Sequence, residues 1–141
     1  MGLHKICFLF LAIILLPLTA CATEGGSRPK AMLFTLADNG KHITLCAGQT
    51  FEIRLKQAGG TGYLWQIVDL NKTHLRVLRS NTTPIRSGPP GGPDLAGGPL
   101  ERTWIIEAVK AGKTDLSILL YRSWEGHGKA ADTFKLGIDI D

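Results

Sequence analysis

Few residues in this chain could make or break a covalent bond, and none stand where they could act together. Cys46 could serve as a nucleophile, but no base accompanies it in the sequence. His42, His74 and His127 are dispersed without metal-ligand spacing, so solvated surface is their default and no metal is expected. Asp115, Asp132 and Asp139 lie on separate segments and suggest no carboxylate pair. The chain is therefore not expected to be an enzyme or to hold a cofactor. What it offers is contact chemistry. In Gln57-Ala58-Gly59-Gly60-Thr61-Gly62-Tyr63-Leu64-Trp65, three glycines surround one threonine. Such a backbone has little side-chain bulk, can adopt φ > 0 and can approach another surface closely. Tyr63 and Trp65 follow two apart, so on a strand both rings would share a face. A thin tip with aromatic anchors suits a loop that enters a narrow cleft. The same residues suit a hairpin-type connection backed by core aromatics, and spacing alone leaves both readings open. Trp124, between Ser123 and Glu125 and followed by Gly126 and Gly128, reads as an exposed anchor, whereas Trp65 and Trp104 read as core.

These residues sit between strands. From residue 31 the apolar pattern has period two: Met32, Phe34 and Leu36, then Ile43 and Leu45 after Asp38-Asn39-Gly40. Phe51, Ile53 and Leu55 alternate with Glu52, Arg54 and Lys56 in a half-buried strand. Residues 63–70 and a short segment around Leu75, Val77 and Leu78 follow. Residues 79–99 lack periodicity and hold five prolines and five glycines, so they read as a loop. Arg102, Trp104, Ile106 and Ala108 form the next set, then Leu116, Ile118 and Leu120, then Phe134, Leu136, Ile138 and Ile140. No amphipathic helix is present. Seven to eight short strands separated by turn signals predict an all-β, immunoglobulin-like β-sandwich over residues 31–141, with a small barrel as the competing architecture. Residues 57–65, 79–99 and 122–128 would then be the connections conventionally lettered BC, DE and FG, which open at one end of such a sandwich.

The N-terminus is processing signal. His4 and Lys5 precede an apolar run from Ile6 to Leu16 that is shorter than the ~20 residues of a spanning helix. Leu18-Thr19-Ala20-Cys21 resembles a bacterial lipobox, which implies a signal peptide over 1–20 and acylation of Cys21. Several acyl chains give stable membrane anchoring, since each buried methylene contributes ~0.8 kcal/mol. The expected location is the cell envelope, at the outer membrane where a cell has two, because Ala22 rather than Asp follows the cysteine. Residues 21–30, with Gly25-Gly26-Ser27 and Arg28-Pro29, read as a flexible tether. With Cys7 removed and Cys21 acylated, Cys46 is left alone, so no intramolecular disulfide is expected and Cys46 reads as a small buried strand residue. The net charge is +4, or about +3 without Lys5, and it is scattered, which argues against nucleic-acid binding. A monomer is expected.

Three loop motifs carry a family resemblance. Ala58-Gly59-Gly60-Thr61-Gly62-Tyr63-Leu64-Trp65 resembles the Asn-Pro-Thr-Thr-Gly-Tyr loop of the chagasin family, inhibitors of papain-like cysteine peptidases. Leu95-Ala96-Gly97-Gly98 resembles its Gly-x-Gly-Gly loop, and Arg122-Ser123-Trp124 its Arg-Pro-Trp loop. The stretch from Ala108 to Gly112 is also similar. The resemblance implies a reversible inhibitor that is not cleaved. Gly59, Gly60, Thr61, Gly62 and Tyr63 would lie at the catalytic cysteine, and Gly97 and Gly98 along the unprimed subsites. Arg122, Ser123 and Trp124 would pack on the primed side. Here Ala58-Gly59 replaces Asn-Pro and Ser123 replaces the proline, so free loops of this composition would lose more entropy on binding. The competing reading is an anchored envelope lipoprotein that keeps the sandwich and binds a different protein partner.

Overall fold

The computed structural model describes residues 32–86 and 96–141; the expected signal peptide, the tether with Cys21, and residues 87–95 with Leu95 lie outside the described residues. The described chain forms eight strands: β1 (Met32–Phe34), β2 (His42–Leu45), β3 (Thr50–Gln57), β4 (Leu64–Leu70), β5 (Leu75–Pro84), β6 (Leu100–Ala108), β7 (Gly112–Tyr121) and β8 (Asp132–Ile140). They pair as two four-stranded sheets, in the orders β1-β3-β6-β5 and β2-β8-β7-β4. This is the immunoglobulin-like sandwich expected, and two separate sheets exclude the small barrel.

The core follows the period-two pattern. Phe51, Ile53 and Leu55 of β3 are fully buried, facing Trp65, Leu116, Ile118, Phe134, Leu136 and Ile138 from the other sheet within one apolar cluster. Each such side chain contributes about 1.5–3 kcal/mol through removal from water. On the outer face of β3, Arg54 Nε donates to Glu52 Oε1 at 2.6 Å. Phe34 meets Phe51 edge to face, with ring centroids 5.9 Å apart.

Four sequence expectations are corrected. Leu36 does not continue β1; it opens a single 3-10 turn (Leu36–Asp38) and is exposed, because Thr35 N–H bonds back to Asp38 Oδ2 at 2.8 Å and closes a turn there. The strand β5 runs to Pro84, so the loop begins at residue 85 rather than 79. A register shift between Val77 and Arg79 breaks the alternation, and the remaining residues lie mostly exposed on an edge strand, where period two has no buried face to reveal it. Pro84 ends that edge strand, where its missing N–H does no harm. Tyr63 precedes β4, so its ring is not bound to the face that Trp65 occupies. Finally, Cys46 follows β2, is half-buried and is disulfide-bonded. The other two cysteines of the chain, Cys7 and Cys21, lie outside the described residues.

Candidate functional site

Strand register decides which loops meet. Gln57 at the end of β3 pairs with Leu100 at the start of β6, and Pro84 at the end of β5 pairs with the same Leu100. Leu64 at the start of β4 pairs with Tyr121 at the end of β7, and Asp132 at the start of β8 pairs with Leu120. The β3–β4, β5–β6 and β7–β8 connections therefore leave the same end of the sandwich. The first of them crosses between sheets, so it is not a hairpin turn.

The β3–β4 loop is held at its base and within its span. Gln57 continues the inward series of Phe51, Ile53 and Leu55 and is only 5% exposed. Its Oε1 accepts the Trp65 N–H at 3.0 Å, while Trp65 Nε1 donates to Lys56 O at 2.9 Å. The buried indole and the buried amide thus fix both ends of the loop. Within it, Thr61 Oγ1 donates to Ala58 O at 3.1 Å and accepts the Tyr63 N–H at 3.4 Å. Gly60 and Gly62 have φ of 71° and 79°, in the left-handed region that favours glycine.

Each neighbouring loop touches this one. Gly59 N donates to Gly98 O at 3.1 Å. A Cβ on Gly59 would collide with that carbonyl oxygen, and one on Gly60 would lie 3.4 Å from Gly97 Cα. The two loops approach backbone to backbone, and at Gly59 there is no room for a side chain. From the β7–β8 side, the Trp124 indole lies over Gly62 so closely that a Cβ there would collide with its ring. Arg122 Nε donates to Thr61 O at 3.0 Å. The Arg122 guanidinium also stacks over Tyr63 at 4.4 Å from the ring centroid, and its Nη1 pairs with Glu125 Oε1 at 3.1 Å. One arginine therefore joins two loops through its charge, its plane and one directed hydrogen bond.

The β7–β8 loop has its own support. Tyr121 OH donates to Gln66 Oε1 at 3.3 Å and lies 3.1 Å from His127 Nε2, with the two rings edge to face at 4.8 Å. At the tip, Trp124 remains 70% exposed, and Leu64 at the start of β4 is 47% exposed. Glu125 pairs with Arg122, so the edge presents an indole, aliphatic carbon and bare backbone with little net charge. Such a surface can fill an apolar cleft and offer peptide groups. Among the described residues it places no nucleophile–base or carboxylate pair together.

All ten loop residues singled out in the sequence lie at this end: Gly59, Gly60, Thr61, Gly62 and Tyr63 in one loop, Gly97 and Gly98 in the second, and Arg122, Ser123 and Trp124 in the third. Two features were missed by sequence reasoning. Gln57 as the clamp was legible in the β3 alternation, which puts position 57 inside. The Tyr121–His127 contact had no sequence signal, and His127 read as plain surface.

A sequence model described as chagasin family peptidase inhibitor I42 matches residues 44–138. No curated protein matches the chain. Among solved structures, the cysteine protease inhibitor EhICP2 from Entamoeba histolytica is similar at 18% identity, covering 79% of this chain and 96% of that one with a TM-score of 0.67. Amebosin is similar at 21% identity, over 79% and 98% of the two chains, with a TM-score of 0.57. Leishmania mexicana ICP is similar at 22% identity, over 85% and 96%, with a TM-score of 0.53. At these identities the structural likeness carries the fold.

Proposed function

The chain belongs to the chagasin family of peptidase inhibitors, and from that premise we propose that it blocks papain-like cysteine peptidases reversibly, by filling their active-site cleft with three loops. Members of the family are inhibitors, and the chain is not an enzyme. The observation that carries the proposal is the convergence at one edge: Gly59 N to Gly98 O, Arg122 Nε to Thr61 O, and the Trp124 ring over Gly62.

In this reading Gly60, Thr61 and Gly62 lie over the catalytic cysteine. Gly97 and Gly98 follow the unprimed subsites, and Trp124 seats on the primed side. The Thr61 hydroxyl is bonded within its own loop, so the tip presents backbone and a methyl group rather than a free hydroxyl. No peptide bond is cleaved, because a loop held by its neighbours does not bring a carbonyl into attack geometry. Arg122 acts mainly on its own protein, holding Thr61 and Tyr63 in place, and Trp124 is the anchor.

Titration of papain with the full-length protein tests the proposal. Stoichiometric, reversible loss of activity is expected. Trp124→Ala should weaken it about ten-fold or more, the effect of losing an anchor worth at least 1–2 kcal/mol. No inhibition of any papain-like enzyme would favour an envelope module with another partner. The proposal includes membrane anchoring through acylated Cys21, supported by Leu18-Thr19-Ala20-Cys21. An acyl thioether and a disulfide to Cys46 would compete for the Cys21 sulfur, and the intact mass of the mature protein distinguishes them.

A further inference from the structure

Beside the three-loop edge, between edge strands β4 and β5, a cleft of about 370 Å³ opens between the two sheets, its walls including Gln57, Leu64, Trp65, Thr82, Arg102 and Ser123. Its chemistry is one-sided. Gln57 Nε2 is buried and has no hydrogen-bond partner among the described residues, although Oε1 of the same amide accepts from Trp65. Arg102 Nε is likewise buried and unpartnered, while Nη1 donates to Thr82 Oγ1 at 2.7 Å. No carboxylate among the described residues pairs with Arg102, whose guanidinium instead lies 5.4 Å from the Trp104 ring centroid. Reversing the Gln57 amide does not remove the orphan, because its oxygen is needed for the Trp65 N–H.

A buried donor without an acceptor is destabilising, and more so when it is charged. Two such donors at one cleft, one of them cationic, leave hydrogen-bonding capacity that only an acceptor can use. We propose that this cleft is a carboxylate-binding site, in which Gln57 Nε2 and Arg102 Nε donate to the bound group and the Trp65 and Leu64 wall packs on its carbon skeleton. A carboxylate fits because it only accepts, carries the charge that Arg102 lacks, and is planar and small enough for the cleft. It could belong to a free small acid or to an acidic side chain of a docked protein. The site does not depend on peptidase inhibition: its donors are Arg102 on β6 and the free Nε2 of Gln57, whose Oε1 separately clamps the base of the β3–β4 loop.

The test follows the Gln57 side-chain amide and the Arg102 Nε–H by nuclear magnetic resonance in 15N-labelled full-length protein. Sodium acetate is titrated against sodium chloride at equal ionic strength. Acetate should shift both signals saturably and chloride should not. Arg102→Met should raise the half-saturating acetate concentration at least ten-fold, read at Gln57. If that variant does not fold, Gln57→Glu serves instead. It keeps an acceptor for the Trp65 N–H, removes the donor and adds a competing carboxylate, so the acetate response should vanish. N-acetylglutamate methylamide separates the sources: tighter saturation than acetate assigns an acidic side chain, and weaker saturation assigns a free acid. Equal, unsaturating shifts with acetate and chloride would overturn the proposal and leave water as the acceptor.

Discussion

Replacing Gly59 with alanine isolates the contact between the first two loops. Gly59 does not lie in the left-handed region, so alanine brings no backbone strain of its own. The added methyl instead falls on the Gly98 carbonyl oxygen, with Gly97 carbonyl carbon and oxygen at 3.1 and 3.2 Å. These are backbone atoms that cannot rotate aside, so the loops must part and the 3.1 Å bond from Gly59 N to Gly98 O is lost. A neutral hydrogen bond of this kind contributes about 0.5–1.5 kcal/mol, which sets the expected loss in urea-unfolding stability. Inhibition should suffer more, because a displaced loop both fits worse and must be reordered on binding. A loss of about ten-fold or more corresponds to 1.4 kcal/mol and upward. The control is Gly128→Ala, where an added Cβ meets nothing within 4 Å. Inhibition constants against one papain-like peptidase should separate the two variants. Wild-type inhibition by Gly59→Ala, or an equal loss in Gly128→Ala, would refute loop contact as the organising feature.

Three further outcomes follow from single contacts. Arg122→Lys keeps the charge but loses the Nε bond to Thr61 O and the planar stack on Tyr63, so inhibition should fall about ten-fold with little loss of thermal stability. An unchanged inhibition constant would show that charge alone suffices. Trp65→Phe removes the Nε1 donor to Lys56 O and shrinks a fully buried ring, and should cost about 2 kcal/mol or more in urea denaturation. The Lys41 ammonium, and then the Thr35 N–H, hold the Asp38 carboxyl below its ordinary range. A depressed carboxyl supports the fold above its unfolded pKa and loses that support as pH falls through the folded one. Lys41→Met should raise the Asp38 titration midpoint seen by nuclear magnetic resonance; an unmoved midpoint would remove Lys41 as the main cause.

The sequence exposed what burial makes periodic and concealed what it does not. In β3, β6 and β8 one face is core, so Phe51 to Leu55, Trp104 to Ala108 and Phe134 to Ile140 alternate visibly. The same logic separated Trp65 and Trp104, which are buried, from Trp124, which is exposed. Where neither face is deeply buried the signal fails. Most of β5 from Arg79 on is exposed, and it read as loop although it pairs with β6 residue by residue to Pro84. The loop residues were legible by type, but their mutual contacts were not. Nothing in the order of residues says that Arg122 lies over Tyr63, because that depends on the register of β4 on β7.

The loops also show how a surface can be held without proline. Proline stiffens a loop by fixing φ of one residue, and acts without help from elsewhere. Ala58-Gly59 and Ser123 do not supply that, and Gly60 and Gly62 add conformational freedom in the unfolded chain. Restraint here comes from between the loops: Gly59 against Gly98, Gly60 against Gly97, Gly62 beneath Trp124, and Arg122 across to Thr61. The glycines thus have two opposite effects. They loosen each loop taken alone, yet Gly59 and Gly62 permit approaches, to the Gly98 carbonyl and to the Trp124 ring, that a Cβ would block. Order gained this way is shared, so a change in any one loop reaches the others, and the edge behaves as one unit rather than as three independent contacts.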